Sequence, residues 1–186
     1  MNWYNLVMAK YVALLRGINV GGNNKIEMAK LKSCFESFGH TNVITYINSG
    51  NVIFDSRKTD TVKITKEIEQ LISKIFKLTI QVIIRNQNNI KKICKSIPDD
   101  WVNDTTYKTD VMFLWSEYTK KNTLKLIDTN REVDSLIYVD GVIIWHLKKA
   151  NYGKSKLNSI IGTDIYKNMT VRNVNTVRKL NILMNS

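Results

Sequence analysis

The segment that most constrains this chain is Arg16-Gly17-Ile18-Asn19-Val20-Gly21-Gly22-Asn23-Asn24-Lys25, a glycine-rich turn set between two apolar patterns of different period. Before it, Tyr11–Leu15 is a short apolar run that reads as a strand. After it, Met28, Leu31, Phe35 and Phe38 recur at helical spacing, and Gly39-His40 follows as a stop. A strand that passes through such a turn into a helix predicts a mixed fold of strands and helices.

The following elements narrow that prediction. Val43–Ile47 and Val52–Phe54 are rich in β-formers and are separated by Asn48-Ser49-Gly50-Asn51, a hairpin signal. Ile64, Ile68, Leu71, Ile72 and Ile75 mark a second amphipathic helix, and Thr79–Ile84 a further strand. Strand, helix, strand, strand, helix, strand is the order of the ferredoxin-like split βαβ fold, with its helices on one face of an antiparallel sheet. A short helix carrying Ile90, Ile93, Cys94 and Ile97 then ends at the single proline, Pro98.

The polar stretch Asp99–Thr106 reads as a linker, dividing an N-terminal half (1–98) from a second, smaller α+β half (107–186). In that half we expect a strand at Asp110–Trp115, a helix at Asn122–Thr129, and a hairpin of Ser135–Val139 and Val142–Leu147 about Asp140-Gly141. A final helical region runs from Ser155 to Asn185, interrupted near Gly162-Thr163. The element order partly repeats, but no tandem sequence repeat is visible. The fold class is α+β.

Composition excludes several functions. Cys34 and Cys94 are the only cysteines and lack partners at ligand spacing, which excludes a disulfide framework or zinc finger and predicts two reduced thiols. No stretch nears the roughly 18 apolar residues of a membrane span. Met1–Lys10 lacks the charged leader and apolar run of a signal peptide, so a cytoplasmic location is expected. Met8-Ala9-Lys10 also reads as a second start, making residues 1–7 an upstream extension that adds little.

The net charge of +12 divides into +9 up to Ser96, −4 from Ile97 to Leu147, and +7 beyond. Two basic regions thus flank an acidic middle. Charge of this kind informs solubility and association more than function.

The turn itself has the Gly-x-x-x-x-Gly spacing of a phosphate loop between Gly17 and Gly22. Lys and Ser/Thr should follow, to reach the terminal phosphates and magnesium, but Asn23 and Asn24 stand there. The dinucleotide pattern fails as well, because Asn19 replaces its second glycine. What survives is a candidate anion cradle built of Arg16, Gly17, Asn19, Gly21, Gly22, Asn23, Asn24 and Lys25, with Arg172 and Asn173 as candidate additions.

The strings YVALLRGINVGGNNKIEMAKLK and TYINSGNVIF resemble the opening of the bacterial domain-of-unknown-function family 1697. Ser155-Lys156-Leu157 and Thr170-Val171-Arg172-Asn173-Val174-Asn175-Thr176 resemble that family's C-terminal motif. Glu27 and Val174 depart from it, standing where proline and tryptophan are common. The resemblance implies a ferredoxin-like first half and a second α+β half, and it implies no activity.

No other constellation carries chemistry. His40 and His146 lack acid or cysteine partners nearby in sequence, and Ser49 lacks the Gly-x-Ser-x-Gly frame of a nucleophile elbow. Asp99, Asp100 and Asp104 read as a solvated linker rather than a magnesium site. The strands that would stack RNA bases, Tyr11–Leu15 and Asn51–Phe54, are mainly aliphatic. No catalytic residue, metal or cofactor is assigned. Three readings follow: a small anionic or phosphate-containing ligand at Arg16–Lys25; weak nucleic-acid backbone binding through Lys148, Lys149, Arg172, Arg178 and Lys179; or a self-associating protein, such as a homodimer, with no ligand.

Overall fold

The computed structural model describes residues 8–186, so the expectation for residues 1–7 lies outside the described residues. Strand β1 (Ala9–Leu15) sits inside a four-stranded antiparallel sheet with β2 (Thr41–Tyr46), β3 (Asn51–Ser56) and β4 (Val82–Asn86). The order β2-β3-β1-β4, with helix α1 (Met28–Ser37) after β1 and α2 (Thr61–Phe76) after β3, is the split βαβ arrangement expected from the element order.

Burial explains the central place of β1. Tyr11, Ala13 and Leu15 share one core with Val52, Phe54, Val82 and Ile84 of the neighbouring strands. Into that face pack Leu31 and Phe35 of α1 and Ile64, Ile68 and Ile72 of α2, at the spacing that helix periodicity predicts. Val12 and Leu14, which point the other way, are also fully buried. A strand covered on both faces reads as a continuous apolar run, which is why no alternation is seen at 11–15. The longer helix is also well terminated: the Asp60 carboxylate accepts from the Val62 and Lys63 N–H groups, and Lys77 closes the other end at φ +57°.

The second sheet contains β5 (Tyr107–Leu114), β6 (Ser135–Val139), β7 (Val142–Lys148) and β8 (Met169–Asn173), in the order β6-β7-β5-β8. Position for position this repeats the first. Its connections differ from expectation, however. The helix expected at Asn122–Thr129 is instead a 3-10 turn, Lys121–Leu126, preceded by another at Ser116–Tyr118. The region expected to be helical from Ser155 contains the 3-10 turn Leu157–Ile160, the single-turn α4 (Asp164–Lys167), and then β8. Only α5 (Val174–Asn185) is a full helix there. Thr170-Val171 are β-branched and Val171 pairs with Met112, so tertiary pairing overrides the helical reading.

The matched strand orders reveal a repeat that is not visible as a tandem pattern. Ile83–Ile93 (IIRNQNNIKKI) and Thr170–Leu180 (TVRNVNTVRKL) both carry a fourth strand into a helix, α3 (Gln87–Lys95) and α5. Arg85 corresponds to Arg172, Asn86 to Asn173, Asn88 to Asn175 and Lys92 to Lys179. The duplication therefore extends from element order to sequence at this corner. By contacts the chain divides into one unit ending at Asn88 that takes in Ile182–Ser186, and a second from Asn89 to Asn181.

Candidate functional site

The glycine turn is an ordered loop held by asparagines. It leaves β1 where the Leu15 N–H donates to the Gly50 carbonyl (2.8 Å) and the Arg16 N–H to that of Gln81 (2.9 Å). Asn19 occupies the left-handed region at φ +54°, a conformation asparagine tolerates better than most residues. Its Oδ1 accepts from the Ile26 N–H (2.8 Å), and its Nδ2 donates to the carbonyls of Ile26 (2.9 Å) and Asn48 (2.9 Å). Asn24, also left-handed, donates through Nδ2 to the Gly17 carbonyl (3.0 Å). Two backbone bonds close the tip, Asn19 N–H to Asn24 carbonyl and Asn23 N–H to Val20 carbonyl.

This loop does not run directly into the helix. Ile26 is buried as an anchor, Glu27 is the N-cap, and α1 begins at Met28. Glu27 makes no side-chain cap bond to the first-turn N–H groups of α1, and no other side chain among the described residues caps them. The N–H groups of Gly21 and Gly22 take no part in the loop's own hydrogen bonds among the described residues. Gly21, Gly22, Asn23, Asn24 and Lys25 are all exposed, and Arg16 is half-buried.

Asn19's bond to Asn48 joins the loop to the β2–β3 hairpin. Between them lies a concavity of about 420 Å³, walled by Asn19, Gly22, Lys25, Glu27, Met28 and Asn48. The structure thus brings together three of the sequence candidates, Asn19, Gly22 and Lys25, and adds Glu27 and Asn48. Asn48 was not legible as a site residue, because the contact that recruits it spans 29 positions.

Arg172 and Asn173 lie in the other unit, at the end of β8. Arg172 is 7% exposed, and its Nη1 donates to Thr170 Oγ1 (2.9 Å) and the Val171 carbonyl (2.8 Å). Burial pulls its guanidinium down to about 10. Asn173 caps α5, its Oδ1 accepting from the Thr176 N–H (2.9 Å). Of the other basic candidates, Arg178 donates to the Pro98 carbonyl (3.0 Å), whereas Lys148, Lys149 and Lys179 are exposed.

The remaining reactive side chains are quiet. Burial pushes the Cys34 thiol up and that of Cys94 to about 11, so neither is an activated nucleophile. His40 is packed against Phe54 at 4.5 Å between ring centroids, and its buried Nε2 has no hydrogen-bond partner among the described residues. His146 stacks between Trp101 (4.8 Å) and Tyr107 (5.1 Å), with Nδ1 2.8 Å from Thr109 Oγ1. That hydroxyl donates to the Val102 carbonyl, so Nδ1 carries the proton toward it. Among the described residues no group of three or more His, Cys, Asp or Glu could hold a metal, and no helix is long and apolar enough to cross a membrane.

Both histidines are held below their ordinary value near 6.5, chiefly by burial; Lys58 adds to the effect at His40, and Asp100 opposes it at His146. Each is therefore neutral in the folded chain where the unfolded chain already takes up a proton. Their stability contribution is complete above the unfolded value and is lost as pH falls through the folded one. Urea melts are expected to show stability falling below about pH 6.5, by at most about 1.4 kcal/mol per pH unit for each histidine. His40→Phe should flatten that slope; an unchanged slope would remove His40 from the account.

The family model described as "Protein of unknown function (DUF1697)" matches residues 8–145, so the C-terminal motif at 155–176 lies beyond the matched span. The solved structure of the conserved bacterial protein SP0830 from Streptococcus pneumoniae is similar to this chain, with a TM-score of 0.82 at 23% sequence identity. That likeness covers 96% of this chain and 99% of the other, and at this identity it speaks for the fold alone. No curated protein sequence matches the chain.

Proposed function

The chain belongs to the DUF1697 family of proteins of unknown function, and we propose that it binds a small anionic, phosphate-containing ligand in the concavity between the glycine loop and the β2–β3 hairpin. The observation that carries this reading is the convergence there of Lys25, the exposed backbone of Gly22 and the side-chain-uncapped start of α1. Glu27 on the same wall disfavours a bare anion. It accepts hydrogen bonds, so a phosphate attached to a hydroxyl-bearing body, such as a sugar phosphate, suits the site better than free phosphate. The site offers binding groups and no activated nucleophile, so the proposal is of recognition rather than of a reaction.

A thermal-shift screen with sugar phosphates, nucleotides and short oligonucleotides tests it. A sugar phosphate is expected to raise the melting temperature, and Lys25→Gln to weaken binding roughly 10- to 100-fold, the value of one charge-assisted hydrogen bond. Binding unaffected by Lys25→Gln would defeat the reading. Oligonucleotide binding that collapses with salt would favour the exposed Lys148, Lys149 and Lys179 instead.

A further inference from the structure

The second sheet repeats the strand order of the first but not its helices, and short 3-10 turns cover the face that α1 and α2 would occupy. They leave a cleft of about 190 Å³ over β5, β7 and β8. It is smaller than the roughly 300–1,000 Å³ of drug-sized pockets, which restricts it to a small metabolite. Its rim exposes apolar surface, with Tyr152 41% and Ile161 63% exposed.

The cleft is polarised along β5. Lys108, Asp110 and Met112 project from one face of that strand, two residues apart. At one end Lys108 Nζ pairs with Asp110 Oδ2 at 2.9 Å, the two side chains only 30% and 15% exposed. The same ammonium lies 5.8 Å from the centroid of the Trp145 ring and 6.0 Å from that of Tyr152. At the other end Met112 pairs with Val171, beside buried Met169, Leu157 and Ile160. Trp145 is fixed in place, because its Nε1–H donates to the buried Asp134 carboxylate (2.9 Å), which also accepts from the Asn130 N–H (2.9 Å).

A half-buried ion pair is a weak source of stability, since desolvation offsets its attraction. Here it sits at the head of an apolar slot with a rigid aromatic wall. Lys108 retains donors beyond the one given to Asp110, and Asp110 retains acceptor capacity. A lone carboxylate entering the cleft would meet Asp110, and a lone amine would meet Lys108. An occupant that carries both charges side by side satisfies both. We propose that this cleft binds a free α-amino acid with an apolar side chain: its carboxylate on Lys108, its ammonium on Asp110, and its side chain between Trp145, Met112 and Met169. The site shares no residue with the glycine loop and stands independently of it.

Titration calorimetry of the full chain with L-leucine and L-phenylalanine tests the proposal, alongside N-acetyl-leucine, which lacks the ammonium, and isoamylamine, which lacks the carboxylate. Saturable binding of at least one amino acid is expected, with both single-charge analogues at least tenfold weaker. Asp110→Asn and Lys108→Gln should each weaken binding at least tenfold, and NMR shifts should centre on the Trp145 indole and the Met112 and Met169 methyls. If either variant fails to fold, the analogue series on the unaltered chain decides. The proposal is overturned by no saturable binding up to about 10 mM, by analogues that bind as well as the amino acid, by unchanged affinity in folded Asp110→Asn, or by shifts confined elsewhere.

Discussion

Alanine at Gly50 is expected to destabilise the chain by roughly 2–5 kcal/mol, much of the 5–15 kcal/mol a domain commonly has. Two separate costs add. Gly50 adopts φ +74°, where a Cβ meets its own backbone at a cost of about 1–2 kcal/mol. A Cβ there would also stand 2.7 Å from Leu15 Cβ and 2.9 Å from Ile18 Cδ1. Both neighbours are fully or almost fully buried, Leu15 in β1 and Ile18 in the glycine loop, so neither can withdraw into solvent. Overpacking of this kind adds about 1–3 kcal/mol. Gly17→Ala is the control: its φ is +66°, yet beyond its own residue and its two chain neighbours no atom of the described residues lies within 4 Å of the added Cβ. Urea melts of the two variants should therefore differ by the packing cost alone. If Gly50→Ala is no more destabilised than Gly17→Ala, the hairpin does not press on the loop as described.

That contact also marks the limit of what local pattern reveals. The first unit was legible because its elements obey single periods: Ile64, Ile68 and Ile72 mark one helix face, and the Asn48–Asn51 turn separates two β-rich runs. In the second unit, short-range signals competed with long-range pairing. Thr170-Val171-Arg172 sits between helical patterns and becomes a strand only because β5 lies beside it. Arg172 consequently looked like surface charge and is a buried guanidinium. Its counterpart Arg85 could have revealed the repeat, but only four residues are identical in the eleven-residue match, and 87 positions separate the two arginines. Among the site candidates, residue type pointed to the glycine loop. Of the residues that complete the concavity, Asn48 is brought there by a hydrogen bond across 29 positions, which no local motif encodes.

Asn19 is where those distant choices concentrate, and Asn19→Ala is expected to cost about 3–4 kcal/mol. Its side chain makes three hydrogen bonds to backbone groups, the Ile26 N–H, the Ile26 carbonyl and the Asn48 carbonyl, each worth about 1 kcal/mol net, beside a longer one to Met28 Sδ (3.9 Å). Alanine loses all three and must still hold φ +54°, a further cost of about 1 kcal/mol. Glycine loses the same bonds but tolerates the backbone, so Asn19→Gly should be less destabilised by about that last amount. Asn19→Asp separates the bonds themselves. It keeps the acceptor for the Ile26 N–H and turns a carboxylate oxygen toward two carbonyls that have lost their donor, so repulsion replaces attraction there. The order of melting temperatures should thus place Asn19→Gly above Asn19→Ala. Hydrogen exchange should also quicken at the Ile26 amide in both, because its acceptor is gone. Should Ile26 exchange stay slow while overall stability falls, the loop would be held by its buried Ile18 and Ile26 rather than by Asn19, and the concavity would survive without it.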